Sequence, residues 1–202
     1  MSGPYVGADL QVRPPFRDEL GVPADAPLVG MIAPFKPQKD PCGFIEVAAR
    51  VAAIMPDARF VLVGDGALRP AVEAAVRRLG LENRVSLPGW RRDIPEVLQA
   101  LDILVMTSLW EGLPRVFLEA MATGRPIVAT NVDGARDAIE EGETGYLVPI
   151  RAYDRLADRV IQLLRNPEDA RRMGARGRER VFPRFDIDVM VKRLDELYQS
   201  VA

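Results

Sequence analysis

Short apolar runs alternate with longer amphipathic stretches along most of the chain. "LVGMIA" (28–33), "RFVLVG" (59–64), "RVSLPG" (84–89), "DILVMT" (102–107), "PIVAT" (126–130) and "GYLVP" (145–149) read as strands. Several are apolar at successive positions, as strands covered on both faces must be. Between them lie helix patterns: "GFIEVAARVAAIM", with Phe44, Val47, Ala48 and Val51 on one face, then "LRPAVEAAVRRLG", "IPEVLQAL", "PRVFLEAMATG" and "GARDAIEEG". Unbroken strand–helix alternation predicts an α/β fold, a Rossmann-like doubly wound parallel sheet that binds ligands beyond the carboxyl ends of its strands.

Three further helices follow the last strand: "DRLADRVIQLLRN", "PEDARRMGARGRERV" and "DIDVMVKRLDELYQSV". The last carries Ile187, Met190, Val191, Leu194, Leu197, Tyr198 and Val201 as an apolar stripe at helical spacing. Residues 28–202 read as one domain. Residues 1–27, with Pro4, Pro14, Pro15, Pro23 and Pro27, read as a linker-like lead-in with at most a helical turn around "FRDEL".

Composition narrows the chemistry. With 202 residues, 48% of them hydrophobic, the chain can bury a substantial core. Its 27 basic and 29 acidic residues leave a net charge of −2, which argues against bulk attraction to nucleic acid or an anionic membrane. An anion site must therefore be local. There is no histidine and only Cys42 among cysteines, so no zinc site and no internal disulfide is expected, and the composition suits a reducing, cytoplasmic compartment. "MSGPYVGADL" lacks the pattern of a signal peptide, and no apolar stretch approaches the ~20 residues that span a bilayer. Membrane association is not indicated.

Candidate chemistry sits at the strand ends. "PFKPQKDP" after the first strand holds Lys36 and Lys39, two of only three lysines in the chain. An ammonium is a compact charge suited to phosphate oxygens, and a helix start at Pro41 would add dipole and free N–H groups. Two ordinary surface cations on a solvated loop are the alternative. "VGDGALRP" offers Gly64 and Gly66, which permit a close approach of backbone to ligand or simply a tight strand-to-helix turn. "PGWRRDIP" brings Gly89, Trp90 and Arg91, with Asp93 as a helix cap. Trp90 either stacks on a planar base or closes the edge of the core.

"LWEGLPRVFLEAMATG" (109–124) puts two glutamates eight positions apart. Pro114 fits the first turn of a helix whose buried stripe is Leu113, Val116, Phe117, Ala120 and Met121. Glu119 borders that stripe, and its structural reading is a weak pair with Arg115. Glu111 could answer the positive end of the helix dipole. Carboxylates also hold vicinal hydroxyls, as acidic residues hold ribose in other nucleotide-binding folds. Two of them facing a cation-lined loop suit a ligand with hydroxyls at both ends and phosphates between: a nucleotide sugar.

In the order in which they occur, "PFKPQKDP", "ARFVLVGDG", "RVSLPGWRRDIP", "LDILVMTSLWEGLPRVFLEAMATGRPIVAT" and "VDGARDAIEEGETGYLVP" resemble the C-terminal, donor-binding half of the retaining GT-B glycosyltransferases of the family 4 type, over roughly residues 25–200. The resemblance implies that Glu119 holds the donor ribose and that Glu111 hydrogen bonds the sugar ring, with the backbone of Gly112, Leu113 and Pro114 beside it. It implies that Lys39 neutralises the diphosphate leaving group. Pro34 stands where the family has an arginine, and Lys36 is read as its substitute. The turn of Gly89, Trp90 and Arg91 would border the base. The implied donor is a UDP- or GDP-sugar, transferred with retention and without a cofactor or a metal. The two glutamates lie along one wall, unlike a glycosidase pair, which faces across the bond at about 5–9 Å.

The same resemblance implies an acceptor-binding domain that precedes this half and is missing from this chain, making the chain a domain, a fragment or one subunit of a split enzyme. The last apolar stripe would then lack its partner and offer a surface for oligomers. Alternatives are a non-catalytic nucleotide-sugar binding module, a nucleotide-sugar epimerase of similar fold, and an anionic-surface binder using "ARRMGARGRERVFPR".

Overall fold

The computed structural model describes residues 15–201. A short helix α1 (Pro15–Glu19) leads into β1 (Leu28–Ile32), a 3-10 turn (Pro37–Lys39) and α2 (Pro41–Ile54). Then come β2 (Arg59–Val63), α3 (Arg69–Arg78), β3 (Val85–Gly89), α4 (Ile94–Ala100), β4 (Ile103–Met106) and α5 (Arg115–Ala122). The chain continues through β5 (Ile127–Thr130), α6 (Asp133–Ala138), β6 (Gly145–Val148), α7 (Tyr153–Arg165), α8 (Pro167–Arg184) and α9 (Ile187–Val201).

The six strands form one parallel sheet in the order β3-β2-β1-β4-β5-β6. The chain enters at the centre, winds outward through β2 and β3, then crosses back to β4 and winds the other way. Right-handed crossovers therefore place α2 and α3 on one face and α4, α5 and α6 on the other. Strand direction of winding reverses between β1 and β4, where Val29 pairs with Ile103 and Gly30 with Leu104. The loops leaving these two strands must separate to opposite faces, which opens a crevice at their carboxyl ends.

Burial explains why the apolar runs could be read as strands. β4 and β5 are buried at every position, as are Leu28, Val29 and Met31 of β1, because helices cover both faces. Phe44, Val47, Ala48 and Val51 of α2 are buried as the helical spacing predicts. α7 returns to pack on α2, and α8 spans from α7 to α5.

Two helix boundaries, those of α6 and α5, differ from the sequence reading, and the lead-in is seen in more detail. The expected helical turn around "FRDEL" is α1, and the lead-in packs on the domain along residues 15–27: Phe16, Val22 and Ala26 are buried, and Arg17 donates to the carbonyls of Ala100 (2.7 Å) and Ala26 and pairs with Asp102. Asp102 in turn accepts from the amide of Leu28 at 2.7 Å, which ties this segment to the start of β1. The rest of the expected lead-in, residues 1–14, lies outside the described residues. α6 ends at Ala138 instead of running to Gly142, because Ile139 is extended and the Glu140 amide is taken by the Thr144 hydroxyl at 2.9 Å. α5 begins at Arg115 with Pro114 as its extended cap residue, so Leu113 lies outside the helix and is 43% exposed instead of buried.

On α9 the apolar stripe is uncovered: Ile187, Met190, Val191, Leu194, Leu197 and Tyr198 are all exposed. Among the described residues no helix is long and apolar enough to cross a membrane. Because Leu194 and Leu197 lie outside the buried core, Leu194→Glu with Leu197→Glu should change unfolding free energy by less than about 0.5 kcal/mol. The same change should sharply reduce binding of an apolar dye. A loss of several kcal/mol in urea unfolding would show that the stripe is packed in solution.

Candidate functional site

Two loops meet at the crevice, and backbone geometry brings them together. In the loop after β1, Pro37 starts the 3-10 turn and Asp40 ends it in the left-handed conformation at φ 47°. Aspartate tolerates this region better than most residues. Its carboxylate then caps α2, accepting from the amide of Gly43 at 3.2 Å and from the hydroxyl of Tyr153 at 2.5 Å. Burial, followed by the hydrogen bond to Asp40, raises the Tyr153 pKa and keeps the phenol protonated as the donor. Lys39 is held at the last position of the turn, its side chain only 14% exposed.

From the other side, Thr107 at the end of β4 donates its hydroxyl to the carbonyl of Asp40 at 2.8 Å. The amide of Leu109 donates to the carbonyl of Gln38 at 2.8 Å, and the Gln38 side-chain amide donates to the carbonyl of Trp110 at 2.9 Å. These bonds deliver Glu111 to Lys39. One carboxylate oxygen, Oε1, accepts from the Lys39 ammonium and from the Ser108 hydroxyl (2.6 Å), and Oε2 faces the Gln38 amide at 3.4 Å. With only 7% of its side chain exposed, Glu111 is a partly buried charge that is paired and hydrogen bonded, as its burial requires. Ser108 is itself fixed, its carbonyl accepting the Thr130 hydroxyl at the end of β5.

The glycines serve this arrangement. Gly64 and Gly66 adopt φ of 131° and 152°, and a Cβ at either would lie 2.0 Å from the Ala33 carbonyl oxygen or 2.7 Å from that of Phe35. They let the β2 turn close onto the lysine loop, where Ala33 and Phe35 donate their amides to Val63 and Asp65 at 2.9 and 2.8 Å. Gly134 does the same for the glutamate loop: a Cβ there would sit 1.3 Å from the carbonyl oxygen of Gly112. Beyond Glu111, the amides of Gly112 and Leu113 have no hydrogen-bond partner among the described residues, and Pro114 has none to offer.

Other expected site residues fall at varying distance from this centre. Glu119, on α5, is half-buried and makes no side-chain hydrogen bond or ion pair among the described residues, so the Arg115 pair that its spacing allowed is not formed. Lys36 is exposed, with no ion pair among the described residues. The amide of Gly64 donates to the carbonyl of Gly89 at 2.9 Å, placing the β3 turn next to the β2 turn, and Trp90 projects from it 66% exposed. Arg91 turns away: it binds Asp93 at 2.6 and 2.9 Å and Glu19 at 2.6 Å, and lies over the Phe16 ring at 5.0 Å. Those hydrogen bonds raise its pKa and lower that of Asp93, whose carboxylate is thereby unavailable to cap α4. Sequence reasoning missed Gln38 and Thr107, Ser108 as a partner of Glu111, and the Gly134 contact. A hydroxyl three residues before Glu111 and an amide between the two lysines were the signals available.

Cavities of about 330 and 570 Å³ lie elsewhere, the first against α7 and the end of β6, the second between α8 and the turn before β6, and neither includes a rim residue.

A Rossmann-like sheet with charged loops meeting at its winding reversal is the architecture of a GT-B glycosyltransferase half. The chain belongs to the glycosyl transferases group 1 family, whose sequence profile matches residues 12–180. It is 31% identical over 182 residues to UDP-Gal:alpha-D-GlcNAc-diphosphoundecaprenol alpha-1,3-galactosyltransferase of Escherichia coli, covering 89% of this chain and 47% of that protein. Anabaena Alr3699/HepE, solved in complex with UDP-glucose, superposes with a TM-score of 0.86 at 28% identity, covering 96% of this chain and 56% of the other. The C-terminal domain of a glycosyl transferase group 1 family protein, LpcC of Francisella tularensis, superposes with a TM-score of 0.79 at 25% identity, covering 90% of this chain and 100% of that one. The chain thus spans about half the length of the curated relatives it matches.

Since Gly134 leaves no room for a methyl group beside the Gly112 carbonyl, Gly134→Ala should cost roughly 2–4 kcal/mol or push the glutamate loop aside. Urea unfolding reads the first effect and amide exchange at residues 108–113 the second. A variant unchanged in both would contradict the close approach.

Proposed function

We propose that the chain is the C-terminal, donor-binding half of a retaining glycosyltransferase of the family 4 type, which moves a hexosyl group from a nucleoside diphosphate sugar, a UDP- or GDP-sugar, to an acceptor held by a preceding domain. The observation that carries this reading is the meeting of Lys39 and Glu111, 72 positions apart in sequence, at the crevice between β1 and β4. It places a cation for phosphate and a carboxylate for sugar hydroxyls at one point, beside two amides without a partner among the described residues. The Escherichia coli relative is named for a UDP-Gal donor and HepE binds UDP-glucose, which supports the donor class. A full-length match to an isolated C-terminal domain supports the placement.

In this reading the diphosphate lies against Lys39, with Lys36 at the open side of the same loop, the sugar against Glu111 and the amides of Gly112 and Leu113, and the ribose against Glu119, which is unpaired among the described residues. The base lies toward Gly89 and Trp90, while Arg91, bound to Asp93 and Glu19, acts by fixing that turn. The bond from the sugar's anomeric carbon to the diphosphate oxygen breaks through an oxocarbenium-like state. The diphosphate leaves with the electron pair, stabilised by ammonium charge in place of a metal, and the acceptor oxygen bonds to the same face of the anomeric carbon as its proton passes to the departing diphosphate oxygen. Because the chain spans about half of its relatives, a nucleotide-sugar binding module or a subunit of a split enzyme is the second reading.

A ligand that binds only the folded state raises the unfolding temperature. Thermal shift against UDP, GDP, ADP and their glucose conjugates should therefore give a concentration-dependent rise for one nucleotide. Lys39→Ala should weaken binding of that nucleoside diphosphate by about 1–3 kcal/mol, the worth of a charged hydrogen bond. An unchanged dissociation constant would remove Lys39 from the site, and a flat response to the whole panel would remove the donor reading.

A further inference from the structure

Lys39 and Glu111 satisfy each other in the unliganded rim, yet the proposed donor needs each for a different group. Resting on that reading, we propose that Gln38 and Ser108 are positioning residues that keep Glu111 aimed at the donor's sugar while Lys39 leaves it for the diphosphate.

A diphosphate brings more negative charge than one carboxylate, so it competes effectively for the ammonium. Without Lys39, a carboxylate with 7% of its side chain exposed would be short of donors. Such a group either reaches for water, and so loses its aim, or finds other partners. Here the partners are already in place, one on each oxygen: the Ser108 hydroxyl at 2.6 Å on Oε1 and the Gln38 amide at 3.4 Å on Oε2.

Both donors are anchored by contacts that do not involve the lysine. Ser108 is 1% exposed, and its carbonyl is held by Thr130 at the end of the neighbouring strand. Gln38 is held by its own carbonyl, which accepts from Leu109, and by its side-chain amide, which also binds the Trp110 carbonyl. Departure of the ammonium thus removes one of three contacts to Glu111 and leaves two that span both oxygens. Neither Gln38 nor Ser108 is needed to hold the nucleotide, so their loss should be felt where the sugar is felt.

The test is calorimetric titration of the whole chain and three variants with UDP, GDP and ADP and with the glucose conjugate of each. In Ser108→Ala and Gln38→Ala, affinity for the nucleoside diphosphate should stay within about twofold, whereas affinity for its sugar conjugate should fall about 5- to 10-fold, in keeping with the net worth of one lost intramolecular hydrogen bond. Glu111→Gln should tighten the nucleoside diphosphate about threefold by releasing Lys39, and should weaken the conjugate. Gln38 sits in a surface turn, so its variant reports even if Ser108→Ala perturbs folding. Equal weakening of both ligands in the two positioning variants, or no change in either, would overturn the proposal while leaving the donor reading intact. A wild-type chain that binds none of the nucleotides would overturn the donor reading and this inference with it.

Discussion

The site depends on one constraint, the hydrogen-bonded clip between the loops that leave β1 and β4. Two hydrogen bonds make it, from the Leu109 amide to the Gln38 carbonyl and from the Thr107 hydroxyl to the Asp40 carbonyl, each 2.8 Å long. A doubly wound sheet sends the helices after β1 and β4 to opposite faces, so their loops diverge by topology. The clip reverses that divergence over a few residues and sets a lysine beside a glutamate. The turn after β2 supports it from one side through Gly64 and Gly66, and the start of α6 from the other through Gly134. Charge placement here follows from backbone packing, with side-chain hydrogen bonds refining it.

Much of the fold was legible because both faces of the sheet are covered. A strand buried on both sides must be apolar at consecutive positions, and "DILVMT" and "PIVAT" could hardly be anything else next to Gly- and Pro-bounded turns. The candidate loops were legible because lysine is rare in this chain and because two glutamates frame a proline. Their mutual contact was not, since nothing local to residue 39 or residue 111 encodes a meeting across 72 positions. Leu113 and the end of α6 were misjudged for a related reason. Periodicity counts residues that would lie on a helical face, but Pro114 and the Thr144 hydroxyl decide where the helix exists. Arg91 was read only as part of a turn bordering a base; its partners, Asp93 and Glu19, include one from the segment that read as a lead-in.

The two ends of the described chain make an instructive contrast. Residues 15–27 are proline-rich and read as a linker, yet Arg17 binds three partners beneath the sheet and Phe16 is buried. α9 has a well-formed apolar stripe that reads as lacking its partner here, and its large side chains are exposed. In both cases local pattern reports what a segment is able to bury, and only the tertiary arrangement reports whether a surface is there to receive it.

The central claim is that a single crevice, between β1 and β4, takes an activated sugar with its phosphates on Lys39 and its ring on Glu111. A crystal structure of the chain with UDP-glucose bound tests it most directly. The account predicts phosphate density within hydrogen-bond reach of the Lys39 ammonium and glucose density against the Glu111 carboxylate and the Gly112 and Leu113 amides. Density for the nucleotide sugar in the cavity beside α7 or the one beside α8, with the Lys39–Glu111 pair undisturbed, would contradict it.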